Sequence, residues 1–294
     1  MLRFSGYDLR SHIVVLGAGG QLGQDLGRFL PGAVVSLPRA AADLTEPERL
    51  AAVLREHRPD IVVNSAAYNF VDRAEDEPDA AMAVNAQGVH ALATICRDLG
   101  SVLVHFSSDY VYGANDSRRT PYSETDEVGP LSVYGRSKLA GEDSVRTVCP
   151  RHFVIRTCGL YGRRGQGGKG GNFVEAILQR AVTRSPLRVV TDQECTPTST
   201  ADLARASVAL IGTDAFGMYH ITSNGSCTWF AFAQAILREA GLEAEVTPIS
   251  TAEYGAKAKR PAYSVLNCGK YARLVAPMRP WQEALQDYLR SRQA

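Results

Sequence analysis

The sequence predicts an α/β fold, a doubly wound parallel sheet, with a smaller α/β lobe toward the C-terminus. Short apolar runs alternate with segments of helical periodicity through the first half of the chain, and a glycine-rich turn at 17–23 follows the first apolar run. Alternation of this kind is typical of parallel strands joined by right-handed helical crossovers. A glycine turn between a strand and a helix is typical of the Rossmann-like form of that fold.

The first half divides into strands and helices in regular order. The predicted strands are 12–16, 33–37, 61–63, 102–106 and 153–155, and the predicted helices are 21–30, 45–57, 80–99 and 134–146. Each strand is a short apolar run, as expected where both faces of a sheet are buried. Thr45 is expected to cap the second helix, with Pro47 in its first turn and Glu48 closing a capping box.

The second half is more interrupted. A glycine-rich, charged loop is expected at 162–171, and Thr228 or Ser226 is expected to cap a helix. The predicted helices are 172–183, 201–211, 228–240 and 281–289, and the predicted strands are 187–190 and 219–222. We expect a small lobe over the carboxyl edge of the sheet, where open parallel sheets bind ligands. The predicted organisation is a leader at 1–10, a dinucleotide-binding domain at 11–156, and a mostly substrate-binding lobe at 157–294 with segments returning to the first domain.

Composition and charge exclude several classes of function. The 294 residues carry a net charge of +1, which gives no electrostatic footprint for nucleic acid or an anionic membrane. No apolar run approaches the ~20 residues that span a bilayer, and 1–10 lacks the apolar core of a signal peptide. The six cysteines include no Cys-x-x-Cys pair. They predict buried free thiols in a reducing cytoplasm.

The glycine turn is a candidate dinucleotide site. Gly17 allows a tight turn, Gly20 lets the backbone approach a pyrophosphate, and Gly23 lets the helix pack closely on the sheet. Unpaired N–H groups at the start of the helix attract phosphate. The predicted cofactor-binding residues of this turn are Gly17, Gly19, Gly20, Gln21, Leu22 and Gly23.

The residues after the second and third strands extend the predicted cofactor site. Arg39 is placed to accept a 2′-phosphate, but a solvated loop arginine is an equal interpretation, so NADH versus NADPH stays open. Asp43 and Leu44 are expected to flank the adenine. The small residues of 64–67 suit a surface pressed against a cofactor, although ordinary packing explains them equally well. The predicted set is completed by Ala66, Ala67 and Tyr68, together with Tyr134 and Lys138.

A hydroxyl, a phenol and an amine carry the predicted chemistry. Tyr134 and Lys138 lie four residues apart, on one face of a helix, and Ser108 follows the strand 102–106. A free phenol has a pKa of ~10, and a nearby cation lowers it. We expect Tyr134 to donate a proton, Lys138 to lower its pKa, and Ser108 to hydrogen-bond a substrate carbonyl. Each motif alone is weak, since Ser/Asp runs at strand ends are usually turn formers, but their order favours hydride transfer.

These residues resemble those of the extended short-chain dehydrogenases/reductases. Within that class the chain is similar to the dTDP-4-dehydrorhamnose reductase family, from about His12 to the C-terminus. The matching stretches are 20–23, 66–75, 84–88, 107–112, 134–142, 171–173, Asp192-Gln193 with Thr196-Pro-Thr198, and Arg260-Pro-Ala-Tyr-Ser264. The Asp192-Gln193 and Arg260 stretches are more specific to the family than the short-chain motifs.

The resemblance implies a cytoplasmic reductase that uses NADPH or NADH on a nucleotide sugar, converting dTDP-4-dehydro-L-rhamnose to dTDP-L-rhamnose. It implies that Ser108, Tyr134 and Lys138 are catalytic. The substrate-binding residues that it implies are Val71, Asp109, Tyr110, Asn172 and Arg260. Some relatives hold Mg²⁺ at a subunit contact, but no metal-ligand spacing is present in the sequence and no metal is assigned. A homodimer is compatible with the sequence, which does not by itself fix the oligomeric state.

One departure from the family bears on the substrate. Many members have a tryptophan beside the sugar where this chain has Gly159, so the sequence fixes the reaction class better than the exact sugar. A nucleotide-sugar epimerase is the nearest alternative, because 107–113 also fits its pattern. A 4,6-dehydratase is disfavoured, since Tyr110 stands where it needs a carboxylate. The alternative from another class is a non-catalytic relative similar to the regulatory subunit of methionine adenosyltransferase.

Overall fold

The computed structural model describes residues 11–163 and 171–293. The predicted leader at 1–10 and most of the predicted loop at 162–171 lie outside the described residues. The strands are β1 His12–Leu16, β2 Ala33–Leu37, β3 Ile61–Asn64, β4 Val102–Ser108, β5 His152–Thr157, β6 Leu160–Tyr161, β7 Leu187–Val190, β8 Glu194–Cys195, β9 Thr198–Ser199, β10 Gly217–His220, β11 Cys227–Thr228 and β12 Val246–Ile249. The α-helices are α1 Gln21–Phe29, α2 Pro47–His57, α3 Pro78–Met82, α4 Gly88–Leu99, α5 Val133–Val148, α6 Phe173–Val182, α7 Thr200–Ile211, α8 Trp229–Glu239, α9 Thr251–Tyr254, α10 Gly269–Leu274 and α11 Trp281–Gln293.

Six strands form one parallel sheet in the order β10-β5-β4-β3-β1-β2. The strand order reverses at β1, which has β2 on one side and β3 on the other. Leu16 and Asn64 are register partners at the carboxyl ends of β1 and β3. A crevice opens at such a reversal and is the usual ligand site of these sheets. The predicted α/β, Rossmann-like class is therefore confirmed.

Alternate residues of β1 enter separate hydrophobic cores on the two faces of the sheet. Ile13 and Val15 pack with residues of α1 and α7, whereas Val14 and Leu16 pack with residues of α2 and α4. The period-two alternation of strand side chains produces this division. Both α7 and β10 come from the second half of the chain, since α7 packs on α1 and β10 pairs with β5.

Much of the remaining second half forms a lobe beside this sheet, whereas α10 packs on the sheet through buried Tyr271. Helices α6, α8 and α11 and the parallel pair β7–β12 enclose a third core. Phe232 is fully buried at its centre, with its ring stacked on that of Phe173 at 5.7 Å and edge-on to that of Trp281 at 5.6 Å. Aromatic packing of this kind fixes the lobe around a few large side chains.

Thr45 does not cap α2, and this prediction is wrong. Glu46 is the N-cap residue, Pro47 begins the helix, and no side-chain cap hydrogen bond forms there. Thr45 donates both its hydroxyl and its backbone N–H to Asp43 Oδ1, at 2.8 and 2.9 Å. The Asp43 carboxylate therefore organises this turn, and the capping box with Glu48 does not form. The helix ends at His57, as predicted.

The predicted helix 80–99 is helical but not uniform. Between α3 and α4 the residues Ala83–Gln87 adopt π-helical geometry. Buried Asn85 lies in this segment, and its side chain accepts from Tyr68 N at 2.9 Å and donates to Tyr68 O at 3.0 Å. These bonds give the Asn85 side chain a structural role, because they tie the backbone at Tyr68 to this helical segment. The π-helical segment also brings the carbonyl oxygen of Asn85 against Gly141 of α5, where a side chain would not fit.

Several elements escape prediction because they are short. β6, β8, β9 and β11 have two residues each, too few for any periodicity. The strand predicted at 219–222 runs instead from Gly217 to His220. It ends there because the chain turns to other partners, with Thr222 donating its N–H to Cys268 Sγ at 3.3 Å. Thr228 caps α8 by accepting from Ala231 N at 3.1 Å, as one of the two predicted caps.

Candidate active site

A large cleft lies at the carboxyl edge of the six-stranded sheet, with the lobe along its other side. Its volume is about 2030 Å³, well above the ~300–1,000 Å³ of a typical small-molecule pocket. The cleft therefore has room for two ligands side by side. The glycine turn lines one part of it, and α6, Trp229 and Arg260 line another.

The glycine turn has the tight geometry that the sequence predicts. Gly17 has φ +75°, and a Cβ there would lie 2.6 Å from Ala66 N. Gly23 packs so closely on Gly17 O that a side chain would overlap it. An added Cβ at Gly20 would lie 3.3 Å from Gly17 O. Gly17 and Gly23 therefore serve the close packing of strand, turn and helix.

The start of α1 fits an anionic group. Gly20 is its N-cap residue, no side chain caps the helix, and its first turn has no acidic residue. Helix N-terminal N–H groups in this state bind phosphate. Among the described residues, the hydroxyls of Ser107 and Thr157 are buried in the cleft lining without a hydrogen-bond partner. A dinucleotide fits these residues, because it offers a pyrophosphate to the helix and polar groups to the hydroxyls.

The structure brings all the predicted cofactor residues to this cleft. They are Gly17, Gly19, Gly20, Gln21, Leu22, Gly23, Arg39, Asp43, Leu44, Ala66, Ala67, Tyr68, Tyr134 and Lys138. Arg39 Nε donates to Asp43 Oδ2 at 2.7 Å, and its side chain is 77% exposed. Hydrogen bonds from Arg39 and Thr45 hold the pKa of Asp43 below its ordinary value although burial acts against them. Arg39 therefore lies at the rim, bound to a carboxylate.

Strand β4 and helix α5 carry the predicted catalytic residues. Ser108 is the last residue of β4, and Tyr134 and Lys138 lie on the first turns of α5. The helix is fixed at its start, because Ser132 Oγ accepts from Gly135 N at 3.1 Å and Glu75 Oε1 accepts from Val133 N at 2.8 Å.

Lys138 is joined directly to the sheet. Its Nζ donates to Phe106 O at 2.6 Å, and the side chain is 2% exposed. This bond holds the first turns of α5 against β4, the strand that ends in Ser108. The structure thus brings Ser108, Tyr134 and Lys138 together at one edge of the cleft.

Burial dominates the electrostatics of these groups. It raises the pKa of Tyr134 to about 12, while the adjacent Ser108 hydroxyl acts in the opposite direction. It lowers the pKa of Lys138 to about 8, against the Glu142 carboxylate, which raises it. The prediction that Lys138 lowers the pKa of Tyr134 is wrong for this structure. Desolvation of the phenol sets the direction of the shift, so Tyr134 keeps its proton at neutral pH.

The Ser108 hydroxyl does not direct its proton toward the cleft. Its Oγ donates to Asp109 Oδ1 at 3.0 Å and accepts from Tyr110 N at 3.2 Å. Asp109 Oδ2 accepts from Ser264 Oγ at 2.6 Å and from Cys158 Sγ at 3.0 Å. Donation from Ser108 to a substrate carbonyl, as expected from the sequence, would require its bond to Asp109 to break.

The residues implied for substrate binding all line the cleft, but most have partners within the protein. Arg260 makes a bidentate ion pair with Asp72, at 2.7 and 3.1 Å. The rings of Tyr110 and Tyr134 meet edge-on at 5.8 Å. Val71 also lies in the lining, and Asp109 is 3% exposed.

Asn172 links the lobe to the glycine turn. Its Nδ2 donates to Gln21 Oε1 at 3.0 Å and to Gly162 O at 2.9 Å. Its Oδ1 accepts from Glu175 N at 3.1 Å, which caps α6. The side chain therefore holds α6 against the start of α1.

Other residues important to the site gave no functional signal in the sequence. Buried Arg156 of β5 makes a bidentate ion pair with Glu142 of α5, at 2.6 and 2.9 Å, and donates to Tyr112 OH at 2.6 Å. Glu142 follows Lys138 by one helical turn, and this spacing was the only available hint. The pair fastens the catalytic helix to the sheet.

The described residues include neither a cluster of metal ligands nor a membrane-spanning helix. Residues 11–163 and 171–293 contain no group of three or more His, Cys, Asp or Glu side chains that could hold a metal ion. In the same part of the chain, no helix has both the length and the apolar character needed to cross a bilayer.

Comparison with known proteins agrees with this fold. The family model described as "RmlD substrate binding domain" matches residues 11–294. The chain is 40% identical to the spore coat polysaccharide biosynthesis protein SpsK of Bacillus subtilis, over 95% of this chain and 97% of that protein. It is 39% identical to the dTDP-4-dehydrorhamnose reductase of Streptomyces griseus, over 95% and 93%. The crystal structure of the Bacillus anthracis dTDP-4-dehydrorhamnose reductase in complex with NADP superposes with a TM-score of 0.90 at 35% identity, covering 96% of this chain and 99% of that one.

A Rossmann-like sheet with a serine, a tyrosine and a lysine at its carboxyl edge defines the extended short-chain dehydrogenase/reductase class. Within that class, the chain belongs to the dTDP-4-dehydrorhamnose reductase family. The family resemblance drawn from the sequence is thereby confirmed.

Proposed function

We propose that this chain reduces the 4-keto group of dTDP-4-dehydro-L-rhamnose with NADPH or NADH, forming dTDP-L-rhamnose. The observation that carries the proposal is the meeting of Ser108, Tyr134 and Lys138 in the same cleft as the glycine turn. Family membership supports it, as does the NADP complex of the Bacillus anthracis relative. When bound, the reduced nicotinamide supplies the hydride.

Tyr134 is the proton donor in this proposal. Its pKa of about 12, raised by burial, keeps the phenol protonated at neutral pH. An alkoxide is a far stronger base than a phenolate, so the proton moves to the ketone oxygen as negative charge develops there. A positioned acid of this kind contributes ~10²–10⁴ in rate.

Lys138 supports the phenolate that remains. One of its three ammonium donors is bound to Phe106 O, and this bond fixes the cation beside the catalytic edge. Its pKa of about 8, lowered by burial, leaves it mostly charged at pH 7. In a buried site that positive charge stabilises the negative charge left on Tyr134. We assign Ser108 to hold the phenol in line.

Part of the cleft lining is assigned to the nucleotide sugar. Val71, Tyr110 and Arg260 line the cleft, and we propose that they contact the sugar and its diphosphate. Asn172 would act by holding α6 in place. Gly159 has φ +57°, and an added Cβ would lie 3.1 Å from Thr196 O, so a larger residue there would need the backbone to move.

We extend the proposal to the organisation of the chain. Residues 11–156 would bind the cofactor, and 157–294 would mostly bind the sugar, with α7 and β10 returning to the sheet. The enzyme would act in the cytoplasm on a small molecule, without a nucleic-acid or membrane partner. A homodimer is compatible with this activity.

The test is turnover of dTDP-4-dehydrorhamnose generated in situ, followed by the loss of reduced nicotinamide absorbance with NADPH and with NADH. We expect oxidation of the cofactor and formation of dTDP-rhamnose in equal amounts. Arg39→Ala should lower the preference for NADPH if Arg39 accepts a 2′-phosphate. Cofactor binding without any oxidation would contradict the proposed substrate, and the test would then move to other 4-keto sugars because of Gly159.

A further inference from the structure

Asp109 is fully buried directly behind Ser108, and both of its carboxylate oxygens are occupied. Oδ1 accepts the Ser108 hydroxyl at 3.0 Å. Oδ2 accepts the Ser264 hydroxyl at 2.6 Å and the Cys158 thiol at 3.0 Å. A buried carboxylate needs such partners. One of these partners is Ser108, which also lies beside Tyr134.

Ser264 reaches this carboxylate from 155 residues away along the chain. Its position is fixed by backbone bonds, because Ser264 N donates to Glu194 O at 2.9 Å and Glu194 N donates to Ala262 O at 2.9 Å. The same segment carries Arg260, which is paired with Asp72 across the cleft. Ser264 is therefore held by the lobe and bound to a residue of the sheet edge.

Two hydrogen bonds fix the position of the Ser108 side chain. Its Oγ donates to Asp109 Oδ1 and accepts from Tyr110 N. Burial raises the pKa of the Asp109 carboxyl, and its hydrogen bonds from Cys158, Ser264 and Ser108 act in the opposite direction. The Ser108 hydroxyl is thereby held beside the Tyr134 phenol, whose pKa it lowers.

We propose that Ser264 and Asp109 are positioning residues for Ser108. Ser264 donates to the Asp109 carboxylate, Asp109 accepts from the Ser108 hydroxyl, and Ser108 is thereby held in place beside the Tyr134 phenol. The inference rests on the proposed function. It gives the lobe a direct effect on the proton-transfer step, separate from binding the sugar. It also gives Asp109 a role in the support of Ser108, beside the contact with the sugar implied by the family resemblance.

The first test is Ser264→Ala, measured for kcat, for KM of the keto sugar and for the Kd of NADPH. A hydrogen bond to a charged group of this strength predicts a loss in kcat of about tenfold to hundredfold. We expect KM and Kd to change by less than about twofold, because Ser264 touches Asp109 and contacts Ser108 only through it. Ser101→Ala is the matched control, since Ser101 is equally buried and its hydroxyl donates to Pro59 O at 2.6 Å, at the opposite end of the sheet.

The second test is a double-mutant cycle with Ser108→Ala. Because Ser264 acts through Ser108, the Ser264→Ala effect on kcat should nearly vanish once Ser108 is alanine. Melting temperatures of all variants show that they are folded, and a purely structural Ser264 would move that temperature without this coupling. A kcat for Ser264→Ala equal to that of Ser101→Ala, or an undiminished effect in the Ser108→Ala background, would overturn the inference. An inactive wild type would contradict the proposed function instead.

Discussion

The two walls of the cleft are built in different ways. On the sheet wall, each functional group follows from a local element: a turn after β1, the end of β4, and two positions one turn apart on α5. On the lobe wall, groups reach the site through long-range bonds, as when Ser264 contacts Asp109 and Arg260 contacts Asp72. Asp192 similarly accepts from Thr251 N and Oγ1, 59 residues away, to hold α9.

This difference predicts that substitutions in the two walls change different properties of the enzyme. The sheet wall has a rigid, locally determined geometry, as catalysis requires of groups that transfer a proton. The lobe wall depends on contacts between distant segments, so a single substitution there changes how the substrate is held. Variants of the sheet wall should therefore lose kcat or cofactor affinity, and variants of the lobe wall should mainly lose affinity for the sugar. Ser264 is the proposed exception.

Tyr134→Phe should have the largest effect. It removes the proton donor but keeps the ring beside Tyr110, so we expect kcat to fall by ~10²–10⁴. The Kd of NADPH, measured by fluorescence, should stay within about twofold, since the lost hydroxyl is one contact among many. Retention of wild-type turnover would exclude Tyr134 as the acid.

Arg260→Ala should raise the KM of the nucleotide sugar by about tenfold or more, because the variant loses a charge-assisted contact in the lobe wall. The Kd of NADPH should not change. Lys257→Ala is the matched control. Lys257 forms an ion pair with Asp76, but it is half exposed and does not line the cleft. An equal effect of both variants would show that the Arg260–Asp72 ion pair acts only in folding.

Gly17→Ala should weaken NADPH binding by about tenfold, since a Cβ placed 2.6 Å from Ala66 N forces the turn to move, at a cost of ~1–3 kcal/mol. Gly100→Ala is the control, because Gly100 has a similar φ of +71° but open space around it. It should lose ~1–2 kcal/mol of stability from backbone strain and keep its cofactor affinity. Titration of NADPH against both variants, with thermal melts, separates packing in the turn from strain alone.

The smallest effect concerns pH. The pKa of Lys138 is lowered to about 8, so its protonated form is lost as the pH rises through that value. We expect kcat/KM to fall above pH 8 and to be about tenfold lower at pH 9. Tyr134, with a pKa of about 12, stays protonated in this range. A profile that is flat to pH 10 would show that the Lys138 charge does not contribute.

Sequence reasoning succeeded where one local segment decides the structure. The glycine turn, β1 to β4 and α5 each follow from residues within a few positions of one another, as do all the residues placed along the cofactor part of the cleft. It failed at Thr45, because Asp43 competed successfully for the hydroxyl and N–H that a cap would use.

Long-range pairs were beyond its reach. Nothing in the local sequence connects Arg156 with Glu142 or Ser264 with Asp109, since these contacts exist only after the sheet and lobe have assembled. The prediction for the pKa of Tyr134 was wrong for the same reason. Spacing placed a cation near the phenol, but burial by distant segments decided the direction of the shift.

The central claim is hydride transfer to the 4-keto carbon of the sugar. It is tested most directly with NADPH carrying deuterium at the transferable position and dTDP-4-dehydrorhamnose as the substrate. The account predicts dTDP-L-rhamnose with a single deuterium on C4, located by NMR, and an equal amount of oxidised cofactor. Product without deuterium, or isomerised sugar without net oxidation of the cofactor, would contradict the account and favour an epimerase.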